Sequence, residues 1–75
     1  MQKGKVLELI RQKSSVNGNP RYILVIQNEQ GYIDSVYTKP DSSYGYSATN
    51  YRDKMVSYET CIYRNKLSLS HIEEA

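Results

Sequence analysis

The fold is decided by residues 22–38, YILVIQNEQGYIDSVYT. Residues 22–27 form a continuous run of β-branched and aromatic side chains, which is typical of a strand with little exposed surface. Residues 28–31 (NEQG) have the composition of a four-residue hairpin loop that ends on glycine. Residues 32–38 then follow as the return strand. The sequence therefore predicts a β-hairpin at the centre of the chain.

Three further segments have strand character. Residues 54–63 alternate, and one face is formed by Val56, Tyr58, Thr60 and Ile62. A turn at residues 64–66 leads into residues 67–72, where Leu67, Leu69 and His71 lie opposite Ile72. Residues 5–13 fit either a helical face or a strand, and we favour a strand because no N-capping residue precedes them.

These segments predict an all-β fold. Five short strands in about 70 residues indicate a small five-stranded antiparallel barrel or curled sheet, SH3-like or OB-like. An open sheet that dimerises is the alternative. Ser47 could cap one short helical turn that runs to Tyr51. We expect residues 1–75 to form a single domain whose tail, residues 73–75, is frayed.

Size and composition limit how the fold can be stabilised. A chain of 75 residues has a thin core, and small domains often add disulfides, a metal or a partner subunit. Cys61 is the only cysteine, so no disulfide can form within the chain. Cys61 and His71 are too few for a structural zinc site. We therefore predict a homo-oligomer and expect no metal or cofactor.

The composition also narrows the class of function. The net charge of +2 is too small to indicate binding of duplex DNA, and no apolar run is long enough to span a membrane. We expect no signal peptide, and a lone thiol favours the cytoplasm. His71 is the only histidine and has no obvious catalytic partner, while Cys61 alternates within a strand and is predicted to be a small core residue. The protein is predicted not to be an enzyme.

Two loop segments are candidates for ligand binding. Residues 14–22 (SSVNGNPRY) contain a turn at Asn17–Gly18, followed by Asn19, Pro20 and Arg21. A turn alone does not require an arginine and two amide side chains at its rim. This set could present a guanidinium fork to an anion. We expect Arg21 to bind phosphate, and Asn17 and Asn19 to bind the polar edges of a base.

The second segment, residues 40–51 (PDSSYGYSATNY), alternates hydroxyls with tyrosine rings around Gly45. Aromatic faces can stack on nucleobases. We expect Tyr44 to contact ligand and Tyr46 to anchor the loop, although either ring could stack. The full predicted ligand-binding set is Asn17, Asn19, Arg21, Ser42, Ser43, Tyr44, Tyr46, Thr49 and Asn50. A surface loop held by its own tyrosines is the alternative interpretation.

The same two segments resemble a pattern in short uncharacterised bacteriophage proteins, in which an N-G-N-P-R turn precedes the first long strand and an S-x-G-Y segment with a later asparagine precedes the last hairpin. The match covers residues 14–22 and 41–50. The resemblance implies a phage or prophage accessory protein in the host cytoplasm. Proteins of this kind often inhibit host defence or host enzymes by binding.

Three functions follow from these observations. The first is sequestration of a small nucleotide-type ligand, such as a defence second messenger. The second is binding of single-stranded DNA or RNA on a small barrel, with tyrosines as stacking platforms. The third is inhibition of a host enzyme by protein–protein contact, since tyrosine and arginine are enriched at interface hot spots.

Overall fold

The computed structural model describes residues 1–14, 18–40 and 43–75. In chain order the elements are β1 (Gln2–Gln12), β2 (Arg21–Asn28), β3 (Ile33–Tyr37), α1 (Tyr44–Ser47), a 3-10 turn (Ala48–Tyr51), β4 (Met55–Tyr63) and β5 (Lys66–Glu74). The strands form a closed barrel in the order β1-β2-β3-β5-β4. The prediction of a small five-stranded barrel is confirmed, and the ambiguous residues 5–13 lie in a strand.

One pair of strands departs from the antiparallel expectation. β3 and β5 run parallel and meet at Tyr37 and Ser68, whereas the other four strand pairs are antiparallel. The helical segment lies between β3 and β4. This order, with parallel closure and an intervening helix, agrees with the OB-like alternative, a five-stranded Greek-key barrel.

β1 closes the barrel because it pairs with two neighbours. Its first residues pair with β4, and the stretch from Gly4 onward pairs with β2. A bulge at Leu7 bends the strand between the two partners. Gly4 lies where β1 crosses closely over β2, and a Cβ atom there would be 2.6 Å from the Gln27 carbonyl oxygen. Glycine is therefore required at this crossing.

The central hairpin forms as its local sequence predicts. The side-chain Oδ1 of Asn28 accepts hydrogen bonds from the amides of Gln30 (3.1 Å) and Tyr32 (3.0 Å). Gly31 has a φ of 88°, which glycine adopts without strain. Behind the turn, Leu24, Ile26 and Val36 are fully buried. The turn chemistry and the buried face thus select the same register.

The core fills the barrel with aliphatic side chains and one tyrosine. Its fully or almost fully buried members are Val6, Leu9, Leu24, Ile26, Val36, Ala48, Val56, Tyr58, Leu69 and Ile72. Ala48 enters from the 3-10 turn, and the helical segment contacts β1, β2 and β5. The helical turn predicted to end at Tyr51 is the 3-10 turn, and Ser47 occupies its N-cap position without a capping hydrogen bond from its side chain. α1, from Tyr44, precedes this turn and was not predicted.

The alternation predicted for the last hairpin holds only in part. A bulge leaves Ser70 without a partner, because Glu59 pairs with His71 while Thr60 pairs with Leu69. Ile72 is therefore buried on the same side as Leu69, although strict alternation predicts opposite sides. Ile62 is 71% exposed, and Cys61 is half-buried rather than a core residue.

The end of the chain also differs from expectation. Residues 73–75, predicted to be frayed, are paired in the structure. Glu73 and Glu74 belong to β5 and lie opposite Ser57 and Val56 of β4, and the Ala75 amide donates a 3.0 Å hydrogen bond to the Met55 carbonyl. Backbone pairing with β4 outweighs the weak strand propensity of these residues.

Candidate nucleic-acid interface

A cleft opens where β2 begins, β3 ends and the β4–β5 hairpin turns. Its volume is about 160 Å³, and its lining residues are Arg21, Tyr37, Thr38, Pro40, Tyr63, Arg64, Lys66 and Ser68. We call it the basic cleft. Three of these residues are cations and two are tyrosines, and none of the described lining residues is acidic.

The strand register explains why these residues meet. Tyr37 lies beside Ile23 of β2 and, through the parallel pairing, beside Ser68 of β5. Tyr63 and Lys66 are paired at the end of the β4–β5 hairpin. The two turn residues between them, Arg64 and Asn65, have φ values of 51° and 64°, as a tight two-residue hairpin turn requires.

The cations of this region lie over the tyrosine rings. The Lys66 ammonium is 4.8 Å from the centroid of the Tyr37 ring. The Arg64 guanidinium and the Lys39 ammonium lie 5.2 and 5.6 Å from the centroid of the Tyr63 ring. Neither of the salt bridges between described residues, Lys54–Glu74 and His71–Glu73, involves these cations. The local charge at the cleft is therefore positive.

Arg21 occupies an unusual position in the cleft wall. Its Nε atom is shielded from solvent and has no hydrogen-bond partner among the described residues. Its carbonyl oxygen accepts a 3.3 Å hydrogen bond from the guanidinium of Arg11, which also covers the ring of Tyr22. The sequence predicted Arg21 as an anion ligand, and the structure places it among the other cations.

An apolar row leads from the cleft across the outer face of the sheet. Ile10, Ile23 and Tyr37 are direct cross-strand partners, so their side chains share this outer face. Ile23 is half-buried, while Ile10 is 39% exposed. In the next row, Val25 lies between Glu8 and Ser35. The cleft is thus the basic end of a longer, partly apolar surface.

Several residues of the predicted ligand-binding set hold the two loops together. Asn19 donates a 3.0 Å hydrogen bond to the Pro40 carbonyl and accepts one of 3.0 Å from the Tyr46 hydroxyl. Gly45 packs closely against the Pro20 carbonyl. The structure therefore brings the two predicted segments together, and their contact forms a support beside the cleft.

Both loop tyrosines are anchored by the protein: Tyr46 bonds to Asn19 through its hydroxyl, in agreement with its predicted role, and Tyr44 bonds to β5, while its predicted ligand contact stays a prediction. Tyr44 is half-buried, packs against the core and forms a 3.1 Å hydrogen bond between its hydroxyl and Nδ1 of His71. Tyr46 is 63% exposed. The two partners differ because α1 directs residue 44 towards β5 and residue 46 towards the first loop.

The remaining predicted residues lie apart from the cleft or outside the described residues. Ser43, Thr49 and Asn50 are exposed and do not line it. Asn17 and Ser42 lie outside the described residues. Tyr37, Tyr63, Arg64 and Lys66 were missed. The sequence does contain a pattern that could have identified them. In residues 37–39 (YTK) and 63–66 (YRNK), lysine or arginine lies within three residues of a tyrosine at the end of a strand.

A second depression has a less suitable lining. It measures about 460 Å³ and is lined by Met1, Gln2, Tyr58, Glu59 and Thr60. Glu59 is its only charged side chain, and Tyr58 is fully buried. Among the described residues no group of histidine, cysteine and carboxylate side chains could hold a metal ion. The basic cleft is therefore the better candidate site.

No protein-family model, no curated protein and no solved structure matches this chain. The resemblance to bacteriophage proteins, the cellular location and the oligomeric state stay predictions. No helix within residues 1–14, 18–40 and 43–75 is long and apolar enough to cross a membrane.

Proposed function

We propose that this protein binds single-stranded nucleic acid along the basic cleft and the adjoining outer face of β1–β3. The observation that carries the proposal is the pairing of cations with tyrosine rings at Tyr37 and Tyr63. A strand of nucleic acid presents phosphates and flat bases in alternation, so cations and aromatic rings on one surface match both groups.

The cation–ring contacts are suited to exchange with a ligand. Cation–π contacts at exposed sites contribute about 0.5–1 kcal/mol each, whereas stacking on a base contributes about 1–3 kcal/mol. A base could therefore displace Lys66 from the ring of Tyr37, and the released ammonium would bind the neighbouring phosphate. The cations would contact the ligand without a large change in backbone conformation.

The size of the cleft favours a strand over a small enclosed nucleotide. Pockets that enclose whole ligands usually measure about 300–1,000 Å³, whereas the basic cleft measures about 160 Å³. Most of a bound ligand would therefore lie on the outer face, where Ile10 and Ile23 offer apolar contact. By analogy, OB-like barrels often use the strand 2–3 face and adjacent loops to bind oligonucleotides. One chain supplies the whole surface, so the proposal does not require an oligomer.

The proposal is for binding without catalysis. The described residues of the cleft include no carboxylate, imidazole or thiol. The hydroxyls of Thr38 and Ser68 are bonded to backbone groups, the Tyr22 amide and the Lys66 carbonyl, and not to a general base that would activate them. His71, the only histidine of the chain, does not line the cleft. It forms a hydrogen bond with Tyr44 that attaches α1 to β5.

Fluorescence anisotropy with a 12-nucleotide oligothymidine and an oligouridine tests the proposal. We expect binding that weakens as salt rises, because each phosphate contact releases counterions. Lys66→Gln should weaken binding and flatten the salt dependence, whereas Lys54→Gln, which removes an exposed cation outside β1–β3 and outside the cleft lining, should change neither.

Three results would contradict the proposal. They are the absence of binding to either strand, equal affinity for a duplex of the same length, or equal losses in Lys66→Gln and Lys54→Gln. Tight binding of mononucleotides or cyclic dinucleotides in place of strands would instead support sequestration of a small nucleotide.

A further inference from the structure

The basic cleft is small, at about 160 Å³. An enclosed cavity of about 150 Å³ can hold one benzene ring, so the cleft has room for a phosphate group or a single small ring. A phosphate group has five heavy atoms, whereas a nucleobase with its sugar has several times as many. A base could rest on the rim, on the rings of Tyr37 or Tyr63, but it could not enter together with its sugar.

The charge of the cleft exceeds what an internal phosphate requires. Arg21, Arg64 and Lys66 line the cleft, and Lys39 lies over the same ring as Arg64. An internal phosphodiester carries a single negative charge, while a phosphomonoester carries about −1.5 to −2 at pH 7. The cleft has three lining cations, and none of its described lining residues is a carboxylate. This charge matches a phosphomonoester better than an internal phosphodiester.

Arg21 adds an observation that is independent of size and charge. Its Nε atom is shielded from solvent and lacks an acceptor among the described residues. Such buried donors are rare in folded proteins because they lose their hydrogen bonds to water. The two aliphatic hydroxyls of the cleft form bonds to other groups: Ser68 donates to the Lys66 carbonyl, and Thr38 accepts from the Tyr22 amide. A phosphate in the cleft would lie beside this side chain, which lines it, and a rotation of the side chain would bring Nε to the phosphate oxygens.

From these observations we infer that the basic cleft is a subsite for a terminal phosphate, the phosphomonoester at one end of a bound strand. This inference rests on the proposed function and specifies its ligand further. Arg21 and Arg64 contact the phosphate oxygens, and Lys66 balances the second negative charge. The adjoining nucleotides continue over Tyr37 onto the outer face of β1–β3.

The test compares three oligothymidine 12-mers that carry an internal fluorophore and differ only at their ends: 5′-phosphate, 3′-phosphate, or hydroxyls at both ends. We expect one phosphorylated strand to bind about tenfold or more tightly than the strand with hydroxyl ends, because ionised acceptors form stronger hydrogen bonds. The difference should shrink below pH about 6, where the phosphomonoester dianion takes up one proton and becomes a monoanion. Inorganic phosphate should remove the difference by competition.

Matched variants locate the effect. Arg64→Gln removes the guanidinium from the cleft, and it should reduce the preference for the phosphorylated strand to nearly none. Arg52→Gln removes an exposed arginine that does not line the cleft, and it should retain the preference. Thermal melting of both variants checks that the fold is intact. A preference that survives Arg64→Gln and Lys66→Gln alike would overturn the inference.

The outcomes separate this inference from the proposed function. Equal affinity for the three 12-mers overturns the terminal-phosphate subsite and leaves strand binding standing. If no 12-mer binds, both fail. If thymidine 5′-monophosphate binds as tightly as the phosphorylated strand, the phosphate subsite stands and strand binding is overturned.

Discussion

The hydroxyl of Tyr46 donates a 3.0 Å hydrogen bond to Oδ1 of Asn19, 27 residues earlier in the chain. The same asparagine donates through Nδ2 to the carbonyl of Pro40. One side-chain amide therefore joins the loop before β2, the loop after β3 and the helical segment. These contacts lie next to Arg21 and maintain the wall of the basic cleft.

Tyr46→Phe should lower the free energy of unfolding by about 0.5 kcal/mol, the lower end of the range for one hydrogen bond, because the ring is exposed and contributes little packing. Chemical denaturation measures the change. Tyr32→Phe is the matched control, since Tyr32 is 71% exposed on the central hairpin. Equal stability of the two variants would show that the bond to Asn19 contributes nothing.

Gly45→Ala tests the contact between α1 and the loop before β2. Helix propensity alone predicts that alanine stabilises this position by about 1 kcal/mol. A Cβ atom at residue 45, however, would overlap the Pro20 carbonyl oxygen, and overpacking of this kind costs about 1–3 kcal/mol. We expect net destabilisation by thermal melt. Ser47→Ala, in the same helical segment, is the control and should be neutral or slightly stabilising. A Gly45→Ala variant that is more stable than the parent would show that residue 45 does not contact the Pro20 carbonyl closely.

We predict that ionisation of the buried Tyr58 hydroxyl destabilises the protein at alkaline pH. Burial raises the pKa of its hydroxyl above the ordinary value of about 10, and the carboxylate of Asp34 raises that pKa further. A raised folded-state pKa contributes stability that is fully present below pH about 10, the unfolded value. That stability is lost as the pH rises through the folded-state pKa. Unfolding should therefore accompany ionisation of Tyr58 in an alkaline titration followed by tyrosinate absorbance and circular dichroism.

Tyr58→Phe isolates this effect. The hydroxyl has no hydrogen-bond partner among the described residues, so its removal should leave the protein as stable or about 1 kcal/mol more stable at pH 7. The alkaline unfolding transition should move to higher pH. If the alkaline unfolding transition of Tyr58→Phe lies at the same pH as that of the parent, another titrating group causes the unfolding.

Tyr63→Leu tests the stacking role of the cleft. Leucine keeps apolar bulk but lacks the ring, so the variant should lose about 1–3 kcal/mol of oligonucleotide binding while its melting temperature changes little. Tyr32→Leu, on the exposed hairpin away from the cleft, should bind like the parent in the same anisotropy assay. Matching losses in both variants would mean that the contact is not specific to Tyr63.

Local sequence was sufficient for elements whose causes are local. The central hairpin follows from its apolar run and from the side chain of Asn28, which accepts two turn amides. Gly18 belongs to the segment in which the sequence predicts a turn, and its φ is 80°, which glycine adopts without strain. The number of strands and the barrel class also follow from alternation and turn composition, because both repeat within a few residues.

Tertiary structure decided the features that depend on distant pairing. The bulges at Leu7 and Ser70 rotate later side chains, so Ile72 points inward although strict alternation directs it outward. The order of strands and the parallel contact between Tyr37 and Ser68 arise from closure of the whole barrel. No local period encodes such closure.

The candidate site shows the same division. Sequence alone determined that this chain is rich in tyrosine, carries a charge of only +2 and has an arginine directly before the predicted strand at residues 22–27. Its cations are spread along the chain, so their sum predicts no basic face. Barrel closure brings Arg21, Arg64 and Lys66 around one cleft while leaving the described acidic side chains outside its lining. Local charge depends on distances in space, and the fold alone sets those distances.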